Sequence, residues 1–186
     1  MNHRDDLLEG AKKCLVEKGY AHTTARDIAA ASGAHLASIG YHYGSKDALM
    51  NAAVIAATSE WGDTVAEALD AVEAPDPQAR LAALVDRMRA STPQERELLM
   101  ASVQAYAEAQ FSPELRSALG AAYQEAHREF AALLDPGSQD TPQGRALGAA
   151  AYAVFSGVIL QELVDPDALP DTEALMAALR RLTGAP

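Results

Sequence analysis

The chain has 186 residues, with 15 Lys and Arg against 26 Asp and Glu, a formal net charge of −11 and 49% apolar residues. That is enough for a real hydrophobic core, in one compact domain or in a small module fused to a larger one. A single cysteine, Cys14, excludes an internal disulfide and a cysteine-built zinc site and fits a reducing compartment; Arg4, Asp5, Asp6, Glu9, Lys12 and Lys13 interrupt any apolar run of secretory-signal length, so a cytoplasmic location is expected.

Apolar residues recur at helical spacing and no stretch alternates with period two for long, which predicts an all-α chain. The first helix carries Leu7, Leu8, Ala11, Cys14 and Leu15 on one face and stops at Gly19. Thr24 opens a second, short helix with a capping box completed by Asp27, and this helix ends near Gly33. The spacing of Ala29, Gly33 and Ile39 in TTARDIAAASGAHLASIGYHY follows helix-turn-helix logic: a small residue at the crossing, glycine in the turn, a branched residue locking the second helix to the first.

Helical phase then sorts the third helix. Leu36, Ile39 and Tyr43 share an inward face, with Gly40 beside them allowing close packing. His35, Ala37, Ser38, Tyr41 and His42 remain outward, where they can reach phosphates or base edges. Lys46 stands in the first turn of the next helix, where a cation opposes the macrodipole. Either a DNA phosphate converges there with the Ser45 hydroxyl and free backbone N–H groups, or Asp47 offsets a solvated lysine. His35 and His42 are two turns apart with no completing ligand, so no metal and no cofactor are expected.

Prolines mark the remaining helices, expected over 45–72, 77–90, 93–110, 113–134, 142–164 and 171–183. The run Ala146 to Leu160 is nearly apolar but too short and alanine-rich for a membrane span, so a buried helix and no membrane partner are expected. Trp61, Met88, Met100, Gln104, Tyr106, Tyr123, His127 and Phe155 either line a small-molecule cavity or are plain core. Gly148, Tyr152, Phe155 and Ile159 share one face of the 142–164 helix, and Leu175, Met176, Leu179 and Leu182 form the stripe of the last.

Charge divides the chain as well. All four lysines and four of the five histidines precede residue 51; Lys and Arg balance Asp and Glu at six each up to residue 50, and stand at nine against twenty beyond it. Such asymmetry points to two modules with different partners. No nucleophile elbow, phosphate loop or metalloprotease motif occurs, so no catalytic residue is assigned and the chain does not read as an enzyme. The competing reading is a helical bundle that binds or converts a small molecule around Glu108, Glu125 and His127, without DNA.

The segments LLEGAKKCLVEKGY, TTARDIAAASG and YHYGSKDAL, between Leu7 and Leu49, resemble the DNA-binding domain of the tetracycline-repressor (TetR) family of transcriptional regulators. Many members carry an aromatic residue where this chain has Gly40, and phenylalanine where it has Tyr43. The resemblance implies a three-helix DNA-binding domain over 1–47, joined by the fourth helix to a larger helical ligand-binding and dimerisation domain over 48–186. It also implies a homodimer on palindromic double-stranded operator DNA, probed by Thr24, His42 and Lys46 at the backbone and released by a small-molecule effector. The last two helices, with Gly148, Tyr152, Phe155, Ile159, Leu175 and Leu179, would form the dimer interface.

Overall fold

A computed structural model describes residues 3–67, 76–167 and 169–183. Among these residues the chain is all helical, with no strand: α1 His3–Lys18, α2 Ala25–Ser32, α3 Leu36–Tyr43, α4 Lys46–Glu67, α5 Pro77–Ser91, α6 Arg96–Glu108, α7 Pro113–Leu134, α8 Pro142–Val164 and α9 Thr172–Thr183. The expected reach of α4 to Val72 lies outside the described residues. α6 starts later than Pro93 because the chain first turns, the Gln94 N–H donating to the Ser91 carbonyl at 3.1 Å. Two compact units emerge, one of residues up to Trp61 with Glu95–Gly120, the other of Gly62–Gln94 with residues from Ala121 on.

In the first unit α1 lies across α2, α3 and α6. Leu7, Ala11, Cys14 and Leu15 of α1 are buried with Ile28, Ile39, Leu49 and Met50. The α1–α2 crossing is close because Gly10 has no side chain: a Cβ there would lie 2.8 Å from the Ser32 Cβ. Gly19 and Gly33 end their helices at φ 76° and 69°, the left-handed conformation that glycine adopts without steric cost.

α2 is set by the expected capping box. The Thr24 hydroxyl accepts from the Asp27 N–H, and the Asp27 carboxylate accepts from the Thr24 N–H at 2.9 Å. Lys18 also donates to Asp27 at 2.5 Å, so Lys18 first and Thr24 second hold that carboxyl well below the usual carboxylate range. A depressed folded-state pKa contributes stability that is complete above the unfolded value of about 3.9 and is lost as pH falls towards the folded one. Asp27→Asn is therefore expected to lower Tm at neutral pH, with the gap to the parent protein closing on acidification below about pH 4. Melting curves across that range check this; a gap independent of pH would remove the carboxylate's charge from the account.

In the second unit α5 packs on α8 and α9. Leu84, Val85, Met88, Phe130, Leu134, Phe155, Val158, Leu163 and Met176 are buried there. Gly148 sits against α7 so tightly that a Cβ would fall 1.9 Å from the His127 carbonyl oxygen. This revises one expectation: the face bearing Gly148, Tyr152, Phe155 and Ile159 is used within the chain, since Gly148 abuts α7, Tyr152 meets its rings, and Phe155 and Ile159 are buried. The opposite face, with Ala146, Ala150, Ala153, Leu160 and Val164, is exposed, Val164 at 83%. On α9, Leu175 and Leu179 are half-buried and Leu182 is exposed.

α8 is also longer than the apolar run at its centre. At 23 residues, with an 18-residue stretch of mean hydropathy 1.6, it is long and apolar enough to cross a membrane by length and composition, a test that the core helix of a soluble protein also passes. Its Gly148 face, however, packs on α7 as a core helix does.

Candidate nucleic-acid interface

α3 is eight residues long and Ile39 is its one buried residue, fixing the helix against the rest of the head. His35 occupies the N-cap with no side-chain capping bond, which leaves its imidazole outward. Tyr41 is 86% exposed and meets His42 edge-on at 4.8 Å between ring centroids. Ala37 is exposed, while Ser38 and His42 are half-buried. Phase therefore placed Tyr41 outward correctly but erred at Leu36, which is 49% exposed, and at Gly40, whose missing side chain would face open space. The helix begins at Leu36, so no preceding turn covers that side chain, and an exposed leucine joins the outward surface.

Tyr43 turns the other way. Its hydroxyl donates to the Arg4 carbonyl at 2.9 Å, the Arg4 guanidinium lies 5.6 Å from its ring centroid, and burial pushes its phenol pKa up. Next to it, the Ser45 oxygen accepts from the Ala48 N–H at 3.0 Å and caps α4, leaving the hydroxyl proton free to donate. The Lys46 ammonium lies 2.8 Å from Asp47 and 5.5 Å from the ring centroid of Tyr20. With Asp47 exposed and Lys46 half-buried, a pair of such neighbours near the surface is worth about 1 kcal/mol or less and can exchange for a phosphate. Tyr20, missed in the sequence, is the prop for this lysine: its hydroxyl donates to Asn51 at 2.7 Å, and burial, then Asp47 and Glu108, push its pKa up to about 12. Its place directly after Gly19 was the available signal. Thr24 differs from expectation in one respect, because its hydroxyl is spent on Asp27 and only main-chain groups at the α2 start remain for an anion.

The residues considered for a small-molecule site fall in both units. In the first, Trp61 is buried and Tyr106 half-buried, but Met100 and Gln104 are exposed, because α6 buries the face of Leu98, Ser102, Ala105 and Ala109 instead. In the second, Met88 is fully buried and its sulfur accepts from Thr92 at 3.3 Å, a core position. Tyr123, His127 and Phe130 surround Tyr152 with centroids 5.4 to 5.7 Å away, and Phe155 stacks edge-on with Phe130. Burial first, then Asp63 and Glu125, raise the pKa of the nearby Glu129. Among the described residues no group of three His, Cys, Asp or Glu is placed to hold a metal ion.

A tyrosine- and histidine-bearing recognition helix, locked by Ile39 behind a glycine turn and followed by a capped helix with a propped lysine, defines a helix-turn-helix DNA-binding head. Comparison with known proteins places it more closely. Residues 7–53 match the family model of bacterial regulatory proteins, tetR family, and residues 76–185 match the tetracyclin repressor-like C-terminal domain. The chain belongs to the TetR family and is a DNA-binding transcriptional regulator. Among relatives, the HTH-type transcriptional repressor AcnR of Corynebacterium efficiens is 34% identical over 67 residues, 36% of either protein, so the chain matches about a third of that relative's length. A TetR transcription regulator from Haloarcula marismortui has the same fold at 20% identity and TM-score 0.64, over 99% of this chain and 96% of that one. The multidrug binding protein EbrR complexed with proflavin superposes at TM-score 0.65 and 27% identity, over 97% and 99%.

Proposed function

We propose that the protein is a cytoplasmic repressor that binds a near-palindromic operator as a homodimer and is released by a small molecule. Residues 1–47 act as the DNA-binding head, and residues 48–186 hold the effector and the dimer contacts. The observation that carries the reading is the outward surface of α3, where His35, Ala37, Ser38, Tyr41 and His42, now joined by Leu36, face a groove while Lys46 reaches a phosphate. Phosphate contacts fix position, and base edges met by Ala37, Ser38 and Tyr41 decide sequence. The match to AcnR over 67 residues supports the repressor role.

Dimerisation is assigned to the exposed stripe of α8, from Ala146 through Ala150, Ala153 and Leu160 to Val164, with Leu182 of α9 beside it in the reading. Alanines at this spacing let a second copy approach closely, and two dimer-related α3 helices can then enter successive major grooves about 34 to 36 Å apart. For the effector, the proflavin complex of EbrR supports a small-molecule site in this fold. The cluster of Tyr123, His127, Tyr152 and Phe155 is its best seat, and the exposed Met100 and Gln104 are not part of it. α4 runs from Lys46 to Glu67, so a ligand that prefers a displaced α4 would weaken operator binding by that difference in affinity alone.

Selection of genomic fragments by the purified protein, followed by sequencing and sedimentation, tests the core of this. A recovered near-palindrome and a dimer at micromolar concentration are expected. A monomer that still binds the recovered duplex tightly overturns the dimer, and recovery of no preferred sequence overturns the operator.

A further inference from the structure

Two helix starts in the DNA-binding head carry a cation, and both cations rest beside a tyrosine. At α4 the Lys46 ammonium lies 5.5 Å from the Tyr20 ring centroid, and at α1 the Arg4 guanidinium lies 5.6 Å from that of Tyr43. Both distances fall within the range of a cation–π contact. A cation in the first turn of a helix works against the macrodipole, and α1 supplies the favoured acids in the same turn as Asp5 and Asp6. Helix stability therefore gives no reason for an arginine at this position. Tyr43 is the last residue of α3, and besides lying beside the guanidinium its hydroxyl donates to the Arg4 carbonyl at 2.9 Å. The recognition helix thus fixes both the main chain and the side chain of an exposed arginine at its own C-terminal end.

We infer that Arg4 is an additional phosphate contact of the operator complex, with Tyr43 as its positioning residue. A guanidinium fork held in place loses less freedom on meeting a phosphate than a free side chain does, and two of its donors can engage one phosphate together. Tyr43 thereby links recognition to anchoring: its backbone ends the helix that reads bases, and its ring aims a charge at the strand beside it. This rests on the DNA-binding reading above.

The test uses the full-length protein and a duplex recovered by its own selection from genomic DNA, with binding measured from low to high salt. Arg4→Ala is expected to reduce the slope of log K against log salt by about one unit per subunit and to weaken binding roughly tenfold per subunit at 0.1 M salt, equally for the recovered duplex and its single-base variants. Arg4→Lys should keep most of the slope. Tyr43→Phe, which retains the ring but loses the bond to the Arg4 carbonyl, should fall between the parent and Arg4→Ala. Arg4 is exposed, so unchanged melting of Arg4→Ala is expected and separates a contact from a folding defect. A slope unchanged in Arg4→Ala but reduced in Lys46→Ala overturns the inference and leaves the DNA-binding reading intact. Absence of DNA binding by the parent protein overturns both.

Discussion

Gly148→Ala is expected to destabilise the protein by about 2 kcal/mol, although alanine is the better helix former. Two effects oppose each other at this position. Replacing a mid-helix glycine gains about 1 kcal/mol of helix propensity. The added methyl, however, would fall 1.9 Å from the His127 carbonyl oxygen and 3.0 Å from the Ala131 nitrogen, both main-chain atoms of α7 that cannot move without shifting the helix. Overpacking of this kind costs about 1 to 3 kcal/mol, more where backbone must yield, so the clash wins. Gly120→Ala is the control: it also lies within a helix, but nothing stands within 4 Å of its added Cβ, and it should be neutral or stabilise by up to about 1 kcal/mol. Urea unfolding of the two variants decides. If Gly148 served a contact between two chains instead, alanine would shift the dimer dissociation constant and leave the unfolding of each chain nearly unchanged.

The same residue marks how far sequence could be read. Features closed by neighbours in the chain were legible: the Thr24–Asp27 capping box, the stops at Gly19 and Gly33, and the proline starts of α5, α7 and α8 depend on a few consecutive residues. Tyr41 outward and Tyr43 inward also followed from phase, because one buried residue, Ile39, sets the orientation of a two-turn helix. Leu36 and Gly40 were misplaced because an apolar or small residue on so short a helix is buried only if another element reaches it, and that is a tertiary fact. α8 shows the limit most clearly. It carries two apolar stripes on opposite faces, Gly148–Tyr152–Phe155–Ile159 and Ala146–Ala150–Ala153–Leu160–Val164, and periodicity cannot say which one the chain keeps for itself. Close approach to α7 at Gly148 selects the first. Met100 and Gln104 failed for a related reason, since α6 offered more than one face for a cavity and the structure buries the one with Ser102 and Ala105. For the DNA-binding head the motif carried the function. For the aromatic cluster the local pattern reaches only half-way, because Tyr123, His127 and Phe130 share one face of α7 but their meeting with Tyr152 of α8 is a tertiary contact.

Arg89→Met is expected to cost about 2 to 3 kcal/mol, and the double variant Arg89→Met with Glu162→Leu to recover most of it. Glu162 is only 6% exposed near the C-terminal end of α8, and the Arg89 Nε lies 2.5 Å from its Oε1. The same guanidinium donates through Nη1 to the Pro170 carbonyl at 2.8 Å, so one side chain of α5 ties the end of α8 to the segment that leads into α9. Removing the arginine strands a carboxylate in a low-dielectric site, which costs about 3 to 5 kcal/mol for a fully buried pair; Arg89 retains partial access to water, which lowers the cost here to about 2 to 3 kcal/mol. Removing both charges and filling the space with apolar atoms abolishes the stranded charge, and such replacements are often neutral. A double-mutant cycle of unfolding free energies measures the coupling. The expected outcome is a double variant markedly more stable than Arg89→Met alone. Were the two single losses simply to add, the ion pair would carry no coupling, and the tie between α5, α8 and α9 would rest on the Arg89–Pro170 bond and apolar packing alone.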